Sequence, residues 1–327
     1  MQEKSRLIIP SKKPVYKTEL GAAYVGDALD LLKGVRTDSV DVIFTSPPYA
    51  LHFKKEYGNV DKDKYVEWFL EFAKEFNRVL KPEGSFFLNI GGSYNKGHPT
   101  KSLYHFKLLV ALVDKVGFFL AQELFWHNPA KLPVPAQWVT VTRQRVKDSV
   151  EYIFWLCKTE RPKASNLNVL APYSKDMERL LKKGYRAKER PSGHKITGKF
   201  KRDKGGAIPS NLLECGNNSA NDAYIKSCEK AGIKPHPARF PWNLPEFAIK
   251  LTTDEGDLVL DPFAGSNTTG AVAERLKRRW LAFEIEEIYL EGSKFRFWPI
   301  VSEDDLAEDS EADEGIREQL SFPAVRL

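Results

Sequence analysis

Two short segments of this 327-residue chain carry groups that could do chemistry, and the first is DPFAGSNTTG, from Asp261 to Gly270. It follows a short apolar run and precedes a helical pattern, so it is predicted to be a tight turn between a strand and a helix. Gly265 allows the backbone to turn sharply and to approach a ligand, and Ser266 and Thr268 are expected to cap the helix. The free amides at the start of such a helix form a site for a polar or anionic group.

A carboxylate is expected near this turn. Glu284 ends the next predicted strand, 19 positions after Gly265. In α/β nucleotide-binding folds, an acidic residue at this place holds ribose hydroxyls. The turn and Glu284 together therefore indicate a site for a nucleoside-containing ligand.

The second segment is Ser46-Pro47-Pro48-Tyr49, which follows the apolar, β-branched run VDVIFT at 40–45. That run predicts a buried strand, and the two prolines must end it because they cannot continue a strand ladder. Ser46 is not expected to be a hydrolase nucleophile, since no GxSxG turn is present.

The elements that must position these segments alternate between strand and helix. Strands are predicted at 40–45, 85–90, 118–126, 149–157, 257–260 and 280–284, and helices at 65–80, 101–115, 245–251 and from the glycine turn to about 278. Such alternation indicates a mostly parallel sheet covered on both faces. A nucleotide-binding sheet normally opens with the glycine-turn unit, yet here that unit comes late, so the two halves of the sheet are predicted to be permuted.

Charge is unevenly distributed along the chain, whose net charge is +6. Residues 299–327 carry nine acidic side chains against two arginines and are expected to form a solvated, disordered tail. Residues 1–298 carry +13, and within them 158–204 hold fifteen Lys or Arg and five acids. This basic stretch is interleaved with aromatic, Pro and Gly residues, which favours contact with phosphates.

The composition excludes several kinds of site. The cysteines Cys157, Cys215 and Cys228 lie far apart with no CxxC pair, which argues against a disulfide framework and a cysteine zinc site. The histidines form no pattern with carboxylates at ligand spacing, so no metal is expected. No uncharged apolar stretch approaches the roughly 20 residues of a membrane span. We therefore predict a soluble, cytoplasmic protein.

Three motifs in a fixed order resemble one family of enzymes. TSPPYA at 45–50, HPARFPWNLPEF at 236–247 and DPFAGSNTTG at 261–270 resemble the amino-methylating DNA methyltransferases of the β arrangement, which use S-adenosylmethionine. The resemblance covers about 24–298. It looks closest to the cytosine-N4 enzymes of type II restriction systems, through KKEYGN (54–59), VGFFLAQELFWHNPAKLP (116–133), RVKDSV (145–150) and RPSGHKI (190–196).

The resemblance implies an α/β S-adenosylmethionine-dependent methyltransferase fold. Its sheet would be mostly parallel and seven-stranded, with helices on both faces and a circularly permuted motif order. Residues 1–157 would form the catalytic half of the sheet and 235–298 the cofactor-binding half. Residues 158–234 would form a basic target-recognition insertion, followed after 298 by the acidic tail.

The resemblance also assigns a role to the SPPY segment. An exocyclic base amine is a poor nucleophile because its lone pair is conjugated into the ring, so acceptors must hold its hydrogens as the nitrogen becomes tetrahedral. The family implies that the Ser46 side chain and the Pro47 carbonyl are these acceptors. Tyr49 offers a face on which a flipped base can stack, and Pro48 stiffens the loop. Catalysis would then depend on positioning and electrostatics.

The cofactor site is implied in the same way. The residues of the glycine turn that would bind S-adenosylmethionine are Asp261, Pro262, Phe263, Ala264, Gly265, Ser266 and Thr268. Glu284 would hold the ribose hydroxyls, and Arg239-Phe240-Pro241 resembles the cofactor-flanking motif of the family. Asp27 either matches an acidic position near the adenine or is an ordinary helix N-cap before residues 28–32.

Double-stranded DNA is the implied partner. The candidate contacts in the insertion are Arg190, His194, Lys195 and Lys199, whereas the residues that read bases are not assigned. Base flipping is required because the N4 amine is hydrogen-bonded in the duplex. A monomer is adequate for modifying one strand at a time, and the product would protect DNA from a partner endonuclease without contact between the two proteins. The resemblance suggests a short palindromic target such as CAGCTG.

Particular residues argue for or against other activities of related folds. Carbon-5 cytosine methylation needs a cysteine, usually after a proline, and no Pro-Cys pair occurs. Adenine-N6 enzymes of this arrangement usually carry Asp or Asn in place of Ser46, so serine favours cytosine-N4, although either group can accept from either amine. An oxidoreductase that uses nicotinamide would need GxGxxG, which 261–270 lacks. A non-catalytic DNA-binding protein would be expected to have altered residues in SPPY or in the glycine turn, and both motifs are intact. RNA methylation is not favoured, because the insertion has no aromatic pattern of the RNP type.

Overall fold

The computed structural model describes residues 12–50, 61–183, 203–217 and 223–301. The strands are β1 (Tyr16–Lys17), β2 (Gly21–Val25), β3 (Val40–Thr45), β4 (Leu80–Ile90), β5 (Phe119–His127), β6 (Val150–Cys157), β7 (Leu212–Glu214), β8 (Leu258–Asp261) and β9 (Arg279–Glu284). The α-helices are α1 (Ala28–Lys33), α2 (Lys62–Val79), α3 (Tyr104–Asp114), α4 (Lys175–Lys183), α5 (Ala223–Lys230), α6 (Asn243–Thr252), α7 (Thr268–Arg275) and α8 (Glu287–Ser293). Within these ranges, no helix combines the length and the apolar character needed to cross a membrane.

The strands of the described residues form one sheet in the order β1-β2-β9-β8-β3-β4-β6-β5-β7. The five strands from β2 to β4 in this order are parallel, and β6 is antiparallel to both of its neighbours. The predicted mostly parallel sheet and the permuted order are confirmed, because β8, late in the chain, lies beside β3. The seven expected strands are present, and the short strands β1 and β7 extend the sheet at its two edges.

Helices cover both faces of the sheet, as predicted. The first face packs on α1, α2 and α3 through a buried apolar cluster that includes Leu32, Phe69, Phe76 and Leu112. The second face packs on α6, α7 and α8 through a cluster that includes Ile249, Val272 and Leu290. Along β3, Ile43 belongs to the first cluster and Phe44 to the second. Because both faces are buried, β3 is mostly apolar and does not alternate between apolar and polar residues.

Two elements differ from the prediction. β2 was not predicted, since GAAYV is short and rich in small residues. Its first residue must be glycine, because a Cβ at Gly21 would lie only 2.1 Å from the ring of Trp280. The run 81–84 was expected to separate α2 from the next strand, but α2 ends at Val79 and β4 already begins at Leu80. The ladder with β3 shifts register there and absorbs the extra residues as a bulge.

The described part of the predicted insertion is partly regular in structure. It contributes α4, α5 and β7, and β7 pairs in parallel with β5 at the edge of the sheet. The disordered tail that the sequence predicts lies, from residue 302 onwards, outside the described residues.

Candidate active site

A cavity of about 500 Å³ opens at the carboxyl ends of the parallel strands. The predicted site residues that line it are Asp27, Ser46, Pro47, Pro48, Tyr49, Arg239, Phe240, Pro262, Phe263, Ala264, Gly265, Ser266, Thr268 and Glu284. The predicted residues Pro241 and Asp261 are not part of its lining. The structure therefore brings the SPPY segment and the glycine turn to one cavity, although they are far apart in sequence.

The topology of the sheet explains this convergence. β3 ends at Thr45 and its neighbour β8 ends at Asp261, so the segments that follow the two strands emerge side by side. β9, which ends at Glu284, lies on the other side of β8. Ligands of open α/β sheets bind in the crevice beyond the carboxyl ends of the strands. The glycine turn is consequently central, with Glu284 to one side and SPPY to the other.

Glu284 is fixed by backbone donors at its end of the cavity. The Gly265 amide donates to Oε2 at 2.8 Å and the Glu286 amide donates to Oε1 at 3.1 Å. Burial raises the pKa of this carboxyl, and the two amides act in the opposite direction. A carboxylate with both oxygens oriented in this way can accept further hydrogen bonds from ligand hydroxyls.

Gly265 has the conformation that the sequence predicts for a tight turn. Its φ is +51°, and a Cβ would lie 3.1 Å from the imidazole of His236. Burial lowers the pKa of His236 to about 4, so the ring is neutral near pH 7. The close approach of backbone and ring shapes the cavity wall, and any side chain at position 265 would disturb it.

The predicted caps of α7 are wrong. Asn267, in the left-handed region with φ 55°, is the N-cap, and its side chain accepts from the Gly270 amide. Ser266 and Thr268 instead share a hydrogen bond of 3.3 Å between their hydroxyls. Asn267 is the N-cap because the turn places it directly before Thr268, the first helical residue. Asn is among the few residue types other than Gly that tolerate this backbone conformation.

Asp261 connects the two halves of the sheet beneath the cavity. Its carboxylate accepts from Thr45 Oγ1 at 2.7 Å, Thr269 Oγ1 at 2.7 Å and the Phe263 amide at 3.1 Å. Burial raises its pKa to about 6. The structure thus shows Asp261 holding the turn against β3, and a direct contact with a cofactor stays a prediction.

Asp27 fits both of the roles weighed from the sequence. Its side chain accepts from the Leu29 amide at 2.8 Å, as the N-cap of α1, and the residue also lines the cavity. The two roles are therefore compatible.

At the SPPY end, hydrogen bonds connect the loop to neighbouring strands. Ser46 Oγ donates to Tyr49 Oη at 3.3 Å, and Tyr49 Oη donates to Glu151 Oε2 at 2.8 Å. Asn89 Nδ2 donates to Ser46 Oγ at 3.3 Å. Burial is the main reason that the pKa of Tyr49 lies well above its ordinary value, so this hydroxyl keeps its proton. Tyr65 Oη fixes the loop from α2 by donating to the Pro48 carbonyl at 2.9 Å.

Several cavity residues were missed by the sequence prediction, among them Trp68, Phe72, Asn89, Trp126, Asn128, Lys131, Glu151 and His236. Asn89 is the penultimate residue of β4, and Glu151 is the second residue of the antiparallel β6, so both lie at the edge of the sheet that carries SPPY. A search for polar residues at the predicted strand ends would have found both. Lys131 Nζ donates to Glu151 Oε1 at 2.6 Å, a contact between separate segments that no sequence pattern indicates.

The predicted DNA contacts Arg190, His194, Lys195 and Lys199 lie outside the described residues and stay predictions. In the part of the chain that the structure describes, no group of three or more His, Cys, Asp or Glu side chains could hold a metal ion.

Comparison with known proteins identifies the family. Residues 40–295 match the DNA methylase family of N6/N4 methyltransferases. The type II methyltransferase M.PvuII of Proteus hauseri is 50% identical over 289 residues, which cover 88% of this chain and 86% of that protein. M.BglII of Bacillus subtilis is 29% identical and covers 86% of this chain and 70% of its own.

Solved structures agree with this result. The PvuII DNA methyltransferase, described as cytosine-N4-specific, superposes with a TM-score of 0.73 at 44% identity and covers 91% of this chain and 93% of its own. A protein of Thermus thermophilus described as a putative DNA modification methylase, solved with S-adenosyl-L-methionine, shares the fold with a TM-score of 0.52 at 21% identity; 84% of this chain and 91% of that one are covered. With its SPPY segment and glycine turn on one cavity, this chain belongs to the N6/N4 DNA methylase family, as a type II DNA methyltransferase.

Proposed function

We propose that this methyltransferase transfers a methyl group from S-adenosylmethionine to the N4 amine of a flipped cytosine in double-stranded DNA. The observation that carries the proposal is the single cavity that joins Ser46, Tyr49 and Asn89 to Glu284 and the glycine turn. One ligand at each end of this cavity would be in reach of the other. The similarity to the cytosine-N4-specific PvuII enzyme supports cytosine over adenine as the target.

The Glu284 end has the chemistry to hold S-adenosylmethionine. Its carboxylate is oriented by backbone amides, which suits it to accept from the ribose hydroxyls. The aromatic rings of Trp68, Phe72 and Phe263 line the same region, with Phe263 centred 6.1 Å from Trp68 and 5.1 Å from Phe72. Such rings provide a wall for a flat adenine. When bound, the cofactor supplies an electrophilic methyl group on a positively charged sulfur.

The SPPY end has acceptors for an amine. Ser46 Oγ and the Pro47 carbonyl are the proposed acceptors for the two N4 hydrogens. Asn89 donates to Ser46 Oγ, and Tyr65 holds the loop at the next residue by donating to the Pro48 carbonyl. Asn89 Oδ1 is buried and accepts no hydrogen bond from the described residues, so a donor on a bound base would satisfy it. Acceptors arranged before the reaction stabilise the amine as it loses conjugation with the ring.

The DNA target must be flipped, since the cavity is internal and the N4 amine is paired in the duplex. We further propose that the insertion at 158–234 contacts the duplex, with Arg190, His194, Lys195 and Lys199 on phosphates. The protein would act as a monomer in the cytoplasm, and its product would block a cognate restriction endonuclease without contact between the two proteins. The palindrome CAGCTG is the first target sequence to examine.

A methyl-transfer assay tests the proposal. The purified protein is incubated with duplex DNA and tritiated S-adenosylmethionine, and the DNA is digested to nucleosides. The proposal expects N4-methylcytosine as the labelled product. N6-methyladenine as sole product would contradict the cytosine assignment, and cofactor binding without transfer would indicate a non-catalytic DNA-binding protein.

Ser46→Ala tests the role of the hydroxyl. The variant should lose much more turnover than cofactor affinity, because Ser46 is proposed to contact the base and not the cofactor. Ser85→Ala is a control, since Ser85 is a buried serine that likewise accepts a side-chain hydrogen bond, from Trp155 Nε1 at 3.0 Å, but lies outside the cavity lining. Equal losses of turnover and cofactor affinity in Ser46→Ala would refute the assigned role.

A further inference from the structure

A line of hydrogen bonds leads from the proposed amine site to a carboxylate. Ser46 Oγ donates to Tyr49 Oη at 3.3 Å, and Tyr49 Oη donates to Glu151 Oε2 at 2.8 Å. Each hydroxyl therefore donates away from the base position and towards Glu151. This polarity leaves lone pairs of Ser46 Oγ to accept from a substrate amine.

Glu151 is held in place by a second partner, Lys131. Lys131 Nζ donates to its other oxygen, Oε1, at 2.6 Å. The side chains of the pair are only 26% and 17% exposed for Lys131 and Glu151, so solvent screens the pair less than it screens a surface pair. The charge of the same carboxylate contributes to raising the pKa of two nearby hydroxyls, those of Tyr49 and Tyr104.

The proposed reaction requires a proton acceptor that the mechanism above does not supply. An exocyclic amine that gains a methyl group must lose one of its two protons to return to neutrality. Asn89, the other polar neighbour of Ser46, carries an amide, which cannot act as the base. We propose that the proton leaves through Ser46 and Tyr49 to Glu151, and that Lys131 holds Glu151 in place for this purpose. This inference rests on the proposed function.

Methyl transfer to the amine and loss of one amine proton together conserve atoms and charge. The N4 nitrogen forms a bond to the methyl carbon, and the electron pair of the broken carbon–sulfur bond stays on sulfur. One N4 proton passes to Ser46 Oγ, the Ser46 proton passes to Tyr49 Oη, and the Tyr49 proton passes to Glu151 Oε2. Both hydroxyls are restored, and Glu151 ends as a neutral acid that releases its proton before the next turnover.

Two features of the geometry agree with a relay through Tyr49. The pKa of Tyr49 is raised well above its ordinary value, chiefly by burial and then by the charge of Glu151, so its hydroxyl passes a proton without resting as an anion. The Ser46–Tyr49 contact of 3.3 Å is long, and catalytic hydrogen bonds commonly shorten when substrate binds. The ring of Tyr49 lies tightly against Gly91, where a Cβ would be 2.5 Å from it.

Single-turnover kinetics test the relay. The complex of protein and S-adenosylmethionine is mixed with duplex DNA at a series of pH values, and the rate constant of methyl transfer is measured. In the wild type we expect the rate to rise with pH to a plateau, because the relay needs an acceptor that carries no proton. Glu151→Gln and Tyr49→Phe should lower the plateau roughly 100-fold and abolish the rise, with cofactor affinity retained.

Two further variants separate a relay from a structural role. Glu151→Asp keeps a carboxylate and should recover part of the rate together with its rise with pH. Lys131→Met should lower the rate at the plateau and keep the rise with pH, because Glu151 remains but loses the donor that holds Oε1. Glu246→Gln is the matched control: Glu246 is 18% exposed, against 17% for Glu151, and lies 2.6 Å from a lysine, Lys250, but is outside the cavity lining. It should leave the profile unchanged.

The outcomes distinguish the two proposals. A wild type that transfers no methyl group to DNA would overturn the proposed function and the relay with it. If the wild type is active, a Glu151→Gln variant that keeps the rise with pH, at full or reduced rate, would overturn the relay alone. Retention of the full rate by Tyr49→Phe would do the same.

Discussion

Ionisation of Asp261 is expected to destabilise the protein as pH rises. The carboxyl is buried between β8 and β3 and accepts from Thr45, Thr269 and the Phe263 amide. Burial nevertheless raises its pKa from the ordinary 3.8 to about 6. Because the folded state favours the protonated form, the stabilising contribution is complete below the ordinary pKa and is lost as pH rises through about 6.

The magnitude follows from these pKa values. A rise from 3.8 to about 6 corresponds to roughly 3 kcal/mol of unfolding free energy over the whole range. About half of this, ~1.4 kcal/mol, falls between pH 5 and pH 7.5. Asp261→Asn removes the titration and keeps an acceptor for Thr45, while the Thr269 hydroxyl can rotate to accept from the new amide.

Urea unfolding, followed by tryptophan fluorescence at pH 5, 6 and 7.5, measures the effect. The unfolding free energy of the wild type minus that of Asp261→Asn should fall by ~1.4 kcal/mol across this range. Asp30→Asn is the control, because Lys33 holds the pKa of the exposed Asp30 below its ordinary value and its titration lies outside the range. A difference for Asp261→Asn that is constant, or that grows with pH, would refute the reasoning.

Three other substitutions test the cavity. Glu284→Gln should weaken S-adenosylmethionine binding about 10-fold or more, since hydrogen bonds to a charged group contribute ~1.5–3 kcal/mol. Isothermal titration calorimetry measures the affinity, and an unchanged affinity would contradict the proposed contact between Glu284 and the ribose hydroxyls. Gly265→Ala should lower the free energy of unfolding by ~1–2 kcal/mol, because φ is positive at this position, and the new methyl group should crowd His236. Thermal unfolding would detect the loss of stability, and cofactor titration would detect the change in the cavity wall. Tyr65→Phe should lower the methyl-transfer rate more than cofactor affinity, because the Pro48 carbonyl loses its donor; an unchanged rate would show that the loop is positioned without it.

The strands that carry the site were predictable because their patterns are local. The run at 40–45 is mostly apolar and is followed closely by two prolines, and the structure ends β3 at Thr45 as expected. The glycine turn followed by Glu284 was likewise recognisable from residue types and spacing. β2 was not, because Gly and Ala at its start give little β propensity and its place depends on the fit of Gly21 against Trp280.

The remaining site residues depend on contacts between distant segments. Glu151 meets Tyr49 and Lys131 because β6 runs antiparallel to β4 and places its first residues at the carboxyl edge of the parallel strands. The choice of Asn267 as N-cap depends on the backbone path of the turn, which residue types alone left open between several polar side chains. Local sequence patterns predict where strands end, and tertiary packing decides which side chains meet there.

The main proposal is that the protein methylates cytosine at N4 within a defined DNA sequence. It is tested most directly by expressing the protein in a host without other DNA methylation and mapping modified bases at single-base resolution. We expect N4-methylcytosine in one short palindromic context and its loss in Ser46→Ala. Modified adenine, or unmodified DNA in cells that contain the folded protein, would contradict it.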